Sequence, residues 1–203
     1  MTKTKGKRFW IALALFGLIG QVAWVVENMY FNVFIYNMFG ASPAEISLMV
    51  GASSVVATLT TILIGALSDK LGKRRLFLSL GYILWGLSIL LFALVRRDVL
   101  GALFPTAVSI TAVGITVTVV LDCVMTFFGS SANDAAFNAW LTDVTEDGER
   151  GAVEGINAMM PLVAILVVFG GFMSFDLSLP SSWTLVFLII GGVVLASGVL
   201  GLF

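Results

Sequence analysis

Three carboxylates stand inside long apolar stretches of this chain: Glu27, Asp122 and Asp134. No Lys or Arg lies within those stretches, so none of the three has a basic partner at the same depth. An ionised carboxylate left unpaired in hydrocarbon costs about 2.5–3.5 kcal/mol on insertion scales. Each must therefore face a water-filled cavity, bind a cation or keep its proton. All three outcomes suit groups that couple an ion, H+ or Na+, to movement along a pathway.

Asp134 is the best placed. Ser130, Asp134 and Asn138 fall at i, i+4 and i+8, which gives one polar helix face, and Asn133 flanks it. Asp134 lies about two turns from the inner end of its helix. A carboxyl tied down by neighbouring hydroxyls and amides is the competing reading. Asp122 is expected nearer the outer surface, where a wetted helix end would also explain it. Near the N-terminus, Gln21, Trp24, Asn28 and Asn32 share a face, and Trp24 could stack on a sugar ring or another flat solute. Glu27 is expected about 100° around the helix from Asn28. Interhelical hydrogen bonds and a core or lipid-facing Trp24 are the plainer uses of the same residues.

The elements that carry these groups are membrane spans. The chain is 59% hydrophobic and 11% charged over 203 residues, where a soluble domain carries roughly a quarter charged residues. Apolar runs near 20 residues recur along it, so lipid is the solvent and an integral, multi-pass protein of the cell or inner membrane is expected. Histidine is absent, which removes imidazole relays and argues against a transition-metal site. The single cysteine, Cys123, allows no internal disulfide and reads as a small apolar residue. No nucleophile sits with a base, no metal-ligand cluster occurs, and no cofactor or nucleic-acid partner is implied, so an enzyme is not expected. The basic N-terminus MTKTKGKR precedes an apolar run too long for a signal peptide and reads as the start of an uncleaved span.

The fold class expected is an all-α membrane protein, a single six-helix transmembrane domain over 1–203. The spans read as about 9–39, 44–68, 76–95, 115–142, 152–175 and 182–203, with Ser42–Pro43 starting the second. The fourth is the least regular. Either it is long and kinked near Gly129-Ser130-Ser131, or Leu100 to Gly114 packs separately at the outer surface; a span from Ile115 to Thr142 is preferred. Ala135, Ala136, Phe137, Ala139, Trp140 and Leu141 continue its apolar stripe past Phe128, where hydropathy alone would end it. Placing both termini in the cytoplasm puts Lys3, Lys5, Lys7, Arg8, Lys70, Lys73, Arg74, Arg75 and Arg150 inside and only Arg96 and Arg97 outside, nine against two. Asp98 offsets part of the outer pair.

Between the second and third spans the chain reads GALSDKLGKRRLFL, from Gly65 to Leu78. Gly65, Leu67, Asp69, Lys70, Gly72, Lys73 and Arg74 resemble the cytoplasmic signature of major facilitator superfamily transporters, roughly G-x-L-x-D-[RK]-x-G-[RK]-[RK]. Asp69 is unfavourable with its own helix dipole. The resemblance implies that it meets a helix of a second six-helix half, outside this chain, with Gly65 permitting close approach. Lys70, Lys73, Arg74 and Arg75 also suit anionic lipid at the bilayer surface. Between the fourth and fifth spans, Arg150-Gly151 resembles the Arg-Gly pair of sugar porters, and with Asp143 and Glu154 suggests an ion-pair gate; a solvated acidic loop is the alternative.

Asn133-Asp134-Ala135-Ala136-Phe137 followed by an acidic loop with an Arg resembles the glycoside–pentoside–hexuronide:cation symporters and related proton-coupled sugar carriers. In the melibiose type, an Asp at this place in helix 4 helps form the cation site, which carries over to Asp134 alone. Those proteins also use two acids on helix 2, and Ser53 to Ala57 here contain none. That favours a proton at Asp134 or Glu27 over sodium. The resemblance implies a second half, either downstream in a longer chain or from a second copy. A partial chain is expected, because the sequence stops at Phe203 inside an apolar run. The function expected is secondary active transport of a small polar solute, such as a sugar, by alternating access. A non-transporting membrane scaffold or accessory subunit is the alternative.

Overall fold

The computed structural model describes residues 6–202. Lys3 and Lys5 of the inner-side charge count, and Phe203 of the sixth span, lie outside the described residues. Six helices are long and apolar enough to cross a membrane: Lys7–Phe39, Pro43–Leu71, Arg74–Leu94, Ile110–Val144, Asp147–Phe172 and Pro180–Leu200. Among the described residues there is no strand.

The ends of the second span follow from its sequence. Ser42 and Glu45 form a reciprocal capping box: Glu45 Oε2 accepts from the Ser42 N–H at 2.7 Å, and Ser42 Oγ accepts from the Glu45 N–H at 3.3 Å. Pro43 opens the first turn, where its missing N–H costs nothing. Gly72 closes the helix with φ 61°, a left-handed conformation that side chains with a Cβ resist. The signature glycine is therefore a helix stop.

The fourth span departs from the preferred reading. It begins at Ile110 rather than Ile115, because Ser109 Oγ caps it by accepting from the Ala112 N–H at 3.2 Å. Before it, Arg97–Leu103 forms a short separate helix. The same span also widens into i→i+5 turns over Ser130–Phe137, at the small-residue run. It then continues as an α-helix over Asn138–Val144, with Ala136, Phe137 and Leu141 buried. The fifth span starts at Asp147 rather than Ala152. Asp147 and Glu149 occupy its first turn, where negative charge suits the positive end of the helix dipole.

The third and sixth spans pack most closely, through glycines. A Cβ at Gly86 would lie 2.7 Å from Leu195 Cα, one at Gly191 2.8 Å from Leu90 Cγ, and one at Gly198 2.6 Å from the Ile83 nitrogen. Backbones approach this closely only where side chains are missing. Phe31 and Phe34 of the first span, Phe92 in the last turn of the third, and Trp183 and Phe187 of the sixth form a buried aromatic cluster. Phe31–Phe92 and Phe34–Phe187 meet edge-on, with centroids 4.7 and 5.0 Å apart, while Trp183 stacks on Phe187 at 6.0 Å. The second and fifth spans flank the bundle, and only 17% of the most apolar stretch of each is buried.

Arg97, one of the two cations expected outside, is tied to the end of the first span. Its Nε donates to the Met38 carbonyl at 2.8 Å, and Nη1 to Thr111 Oγ1 at 3.0 Å. Its guanidinium carbon lies 5.7 Å from the Phe39 ring centroid. A cation at the C-terminal end of the first span satisfies a late carbonyl and suits the helix dipole. Arg96 pairs instead with Asp98 at 3.0 Å.

Candidate functional site

The first, second and fourth spans enclose a polar cleft of about 360 Å³, lined by Gln21, Trp24, Glu27, Asn28, Ser53, Ser54, Ala57, Thr126 and Asp134. Its lining offers amides, hydroxyls, carboxylates and one indole. A second cleft, of about 250 Å³ between Ile64, Leu80, Leu84 and Phe127, is almost wholly apolar and has nothing to orient a polar solute.

Two widened turns shape the polar cleft. Glu27 stands in the i→i+5 segment Val26–Tyr30, and Asp134 in Ser130–Phe137. Such turns shift the register of a helix and recur at functional sites. Glu27 lines the cleft together with Gln21, Trp24 and Asn28, as i, i+3 and i+4 neighbours of Trp24 on one helix face do.

Glu27 is 8% exposed, and Thr126 Oγ1 donates to its Oε1 at 2.7 Å. Its Oε2 is buried without a hydrogen-bond partner. Asp122 is not a wetted helix end: it is 2% exposed, with Oδ1 also lacking a hydrogen bond. Gly114 packs against the Phe39 ring, so the first span ends where the fourth begins. Glu27 and Asp122 each lie twelve residues from those ends, about 18 Å along the axis. They therefore share one depth near mid-membrane, and Asp122 and Asp134 are both close enough for their charges to act on Glu27. Among the described residues, no three acids or cysteines converge tightly enough to ligate one metal ion.

Other expected site residues lie around the cleft rather than on it. Asn133 is 2% exposed and sits behind Trp24, whose Nε1 donates to Asn133 Oδ1 at 3.3 Å. Ser130 is fully buried. Asn138 is exposed, lies off the cleft lining and donates to the Asp134 carbonyl at 3.0 Å. Asn32 lies one turn beyond the cleft, with Nδ2 3.4 Å from the Asn28 carbonyl. Sequence reasoning missed Ser53, Ser54 and Thr126. Thr126 had a signal, since it lies four residues after Asp122 on a regular helix. Ser53 and Ser54 had none beyond a run of small residues.

At the end of the bundle that carries the signature, Arg74 gathers the acids. Its Nη1 lies 2.6 Å from Asp69 Oδ1 and donates to Ser68 Oγ at 3.1 Å, while its Nε pairs with Asp143. Asp69 thus has an ion-pair partner within this chain while its side chain stays 62% exposed. Gly65 meets open space, and Lys70 and Lys73 are exposed. Arg150 pairs with Asp147 at 3.6 Å and reaches the Thr142 carbonyl at 3.4 Å, so it does not join Asp143 in one gate.

Residues 9–203 match the family model described as Major Facilitator Superfamily. The chain belongs to that family. It is an integral, multi-pass membrane protein of a transporter superfamily. Comparisons with curated proteins and with solved structures returned no match.

Proposed function

We propose that this chain forms one half of a secondary active transporter that moves a small polar solute, such as a sugar, by alternating access coupled to an ion. The observation that carries the reading is the cleft itself. Three carboxylates from two spans lie at or beside it, no basic side chain shares their depth, and neutral hydrogen-bonding groups line the rest. Such an array holds a proton or a cation when the site is closed and releases it when water enters. The proton is favoured over Na+, because the acids do not converge on a point and the second span contributes hydroxyls only.

Gln21, Asn28, Ser54 and the Trp24 indole supply the solute contacts, and Asp134 and Glu27 the coupling groups, with Asp122 behind Glu27. The open side of the cleft is closed by a second six-helix bundle, from a longer chain or a second copy. The exposed flanks of the second and fifth spans support that placement. Both termini face the cytoplasm in the host cell membrane.

The test is uptake by the complete transporter in liposomes, with labelled sugars under an imposed pH or Na+ gradient. Asp134→Asn is expected to abolish gradient-driven accumulation while leaving solute exchange. Unchanged uptake with unchanged ion dependence would remove Asp134 from coupling. Absence of any ion-dependent flux, together with a cysteine at Asn28 that no water-soluble reagent reaches, would favour the scaffold reading.

A further inference from the structure

We infer that Asn133 is a positioning residue of the cleft: it fixes the Trp24 indole as the wall beside Asp134 and does not itself touch solute. The inference rests on the cleft being the solute site, but its geometry stands apart from any transport measurement.

Asn133 and Asp134 are neighbours on the widened turn Ser130–Phe137, and the Trp24 indole lies beside both. Asp134 lines the cleft, while Asn133 is buried toward the first and third spans. A chain of hydrogen bonds runs through Asn133. The Trp24 indole donates to its Oδ1 at 3.3 Å, and its Nδ2 donates to the Tyr82 hydroxyl at 2.8 Å. Tyr82 in turn donates to the Phe16 carbonyl at 2.6 Å. Phe16 lies in another widened segment of the first span, Leu13–Leu18.

The direction of this chain is set by chemistry. An indole N–H can only donate and a carbonyl can only accept, so the amide and the hydroxyl between them have one consistent orientation. Tyr82 is fully buried, and a broken link would leave polar atoms unpaired where water cannot replace the partner. Trp24 is held from the other side by Trp85, at a ring-centroid distance of 5.0 Å. Gly20 makes room for the amide: a Cβ there would lie 2.8 Å from Asn133 Cγ. The relay therefore ties the aromatic wall of the cleft to the same turn that presents Asp134.

The full chain in lipid nanodiscs, labelled with ¹⁵N at the indole nitrogens, gives one resonance for each of its five tryptophans. Trp24→Phe identifies the Trp24 signal. Asn133→Leu is expected to shift that signal and speed its hydrogen exchange roughly fivefold, the equilibrium weight of one hydrogen bond. The Trp183 signal, bonded to the Leu177 carbonyl at 2.8 Å, stays in place and reports an intact fold. Gly20→Ala removes no polar atom yet displaces the amide, and is expected to act in the same direction. Tyr82→Phe, which frees the far side of the amide, shifts Trp24 by a smaller amount. A Trp24 signal unmoved by both Asn133→Leu and Gly20→Ala overturns the inference. Should Asn133→Leu fail to fold, Gly20→Ala decides alone. No solute is used, so failure here leaves the transport proposal untouched, and failed uptake leaves this result standing.

Discussion

Thr126 of the fourth span donates a 2.7 Å hydrogen bond to Glu27 of the first, joining the two helices at a buried carboxylate. The bond satisfies one oxygen of Glu27 and leaves the other facing the neighbourhood of Asp122 and Asp134. The acid that lines the cleft is thus also a structural contact between the two spans that shape it.

Removing that contact has a measurable cost. Thr126→Val keeps the side-chain volume and deletes the donor. It is expected to destabilise the chain by about 1–2 kcal/mol, the range for polar links between membrane helices. Thr126→Ser, which keeps the hydroxyl, should lose less. Thermal melts in one detergent compare them. Combined with Glu27→Gln, Thr126→Val should lose less than the sum of the separate effects, because the two residues share one interaction.

Accessibility separates the lining of the cleft from its support. In a Cys123→Ser background, cysteines at Asn28 and Ser54 are expected to react quickly with a water-soluble maleimide. Cysteines at Asp122 and Asn133, each 2% exposed in the native side chain, should react slowly or not at all. Equal rates at all four would show that the buried acid is not shielded as described.

Arg74 joins the second span to the end of the fourth through Asp69 and Asp143, both more than half exposed. Arg74→Ala is expected to cost about 1 kcal/mol or less, as exposed ion pairs do. Arg74→Lys should recover only part of that, because an ammonium lacks the fork that spans two acids. The difference between wild type and Arg74→Ala should shrink as salt is raised, since the screening length falls from about 10 Å at 0.1 M to 3 Å at 1 M. Melts at low and high salt provide the comparison. A salt-independent loss would point to packing rather than charge.

The third and sixth spans tolerate no side chain at their crossing. Gly86→Ala and Gly198→Ala each place a methyl group against backbone of the opposite helix. Each is expected to cost about 1–3 kcal/mol by overpacking. Gly170→Ala and Gly171→Ala meet open space in this chain and should be close to neutral here. In a complete transporter, a loss confined to these two would place a partner helix on the exposed flank of the fifth span.

By itself the sequence determined the membrane class, the six spans, the capping of the second and the three acids inside hydrocarbon. Those are local properties: runs of apolar residues, caps and charge placement act within a few turns of chain. It also carried the signature that placed the chain in its family. Tertiary structure alone decided which of those groups meet. Packing brings Glu27 of the first span against Thr126 of the fourth and buries Asn133 between Trp24 and Tyr82, and a period of 3.6 residues does not name those partners. Asp122 is buried because its helix packs against the first and second spans, beside Glu27 and Ser53, which hydropathy does not encode. Asp69 finds Arg74 across a turn, where a linear motif shows only like and unlike charges in a row. Side-chain contacts between helices depend on register and rotation, and those are settled only when the spans pack.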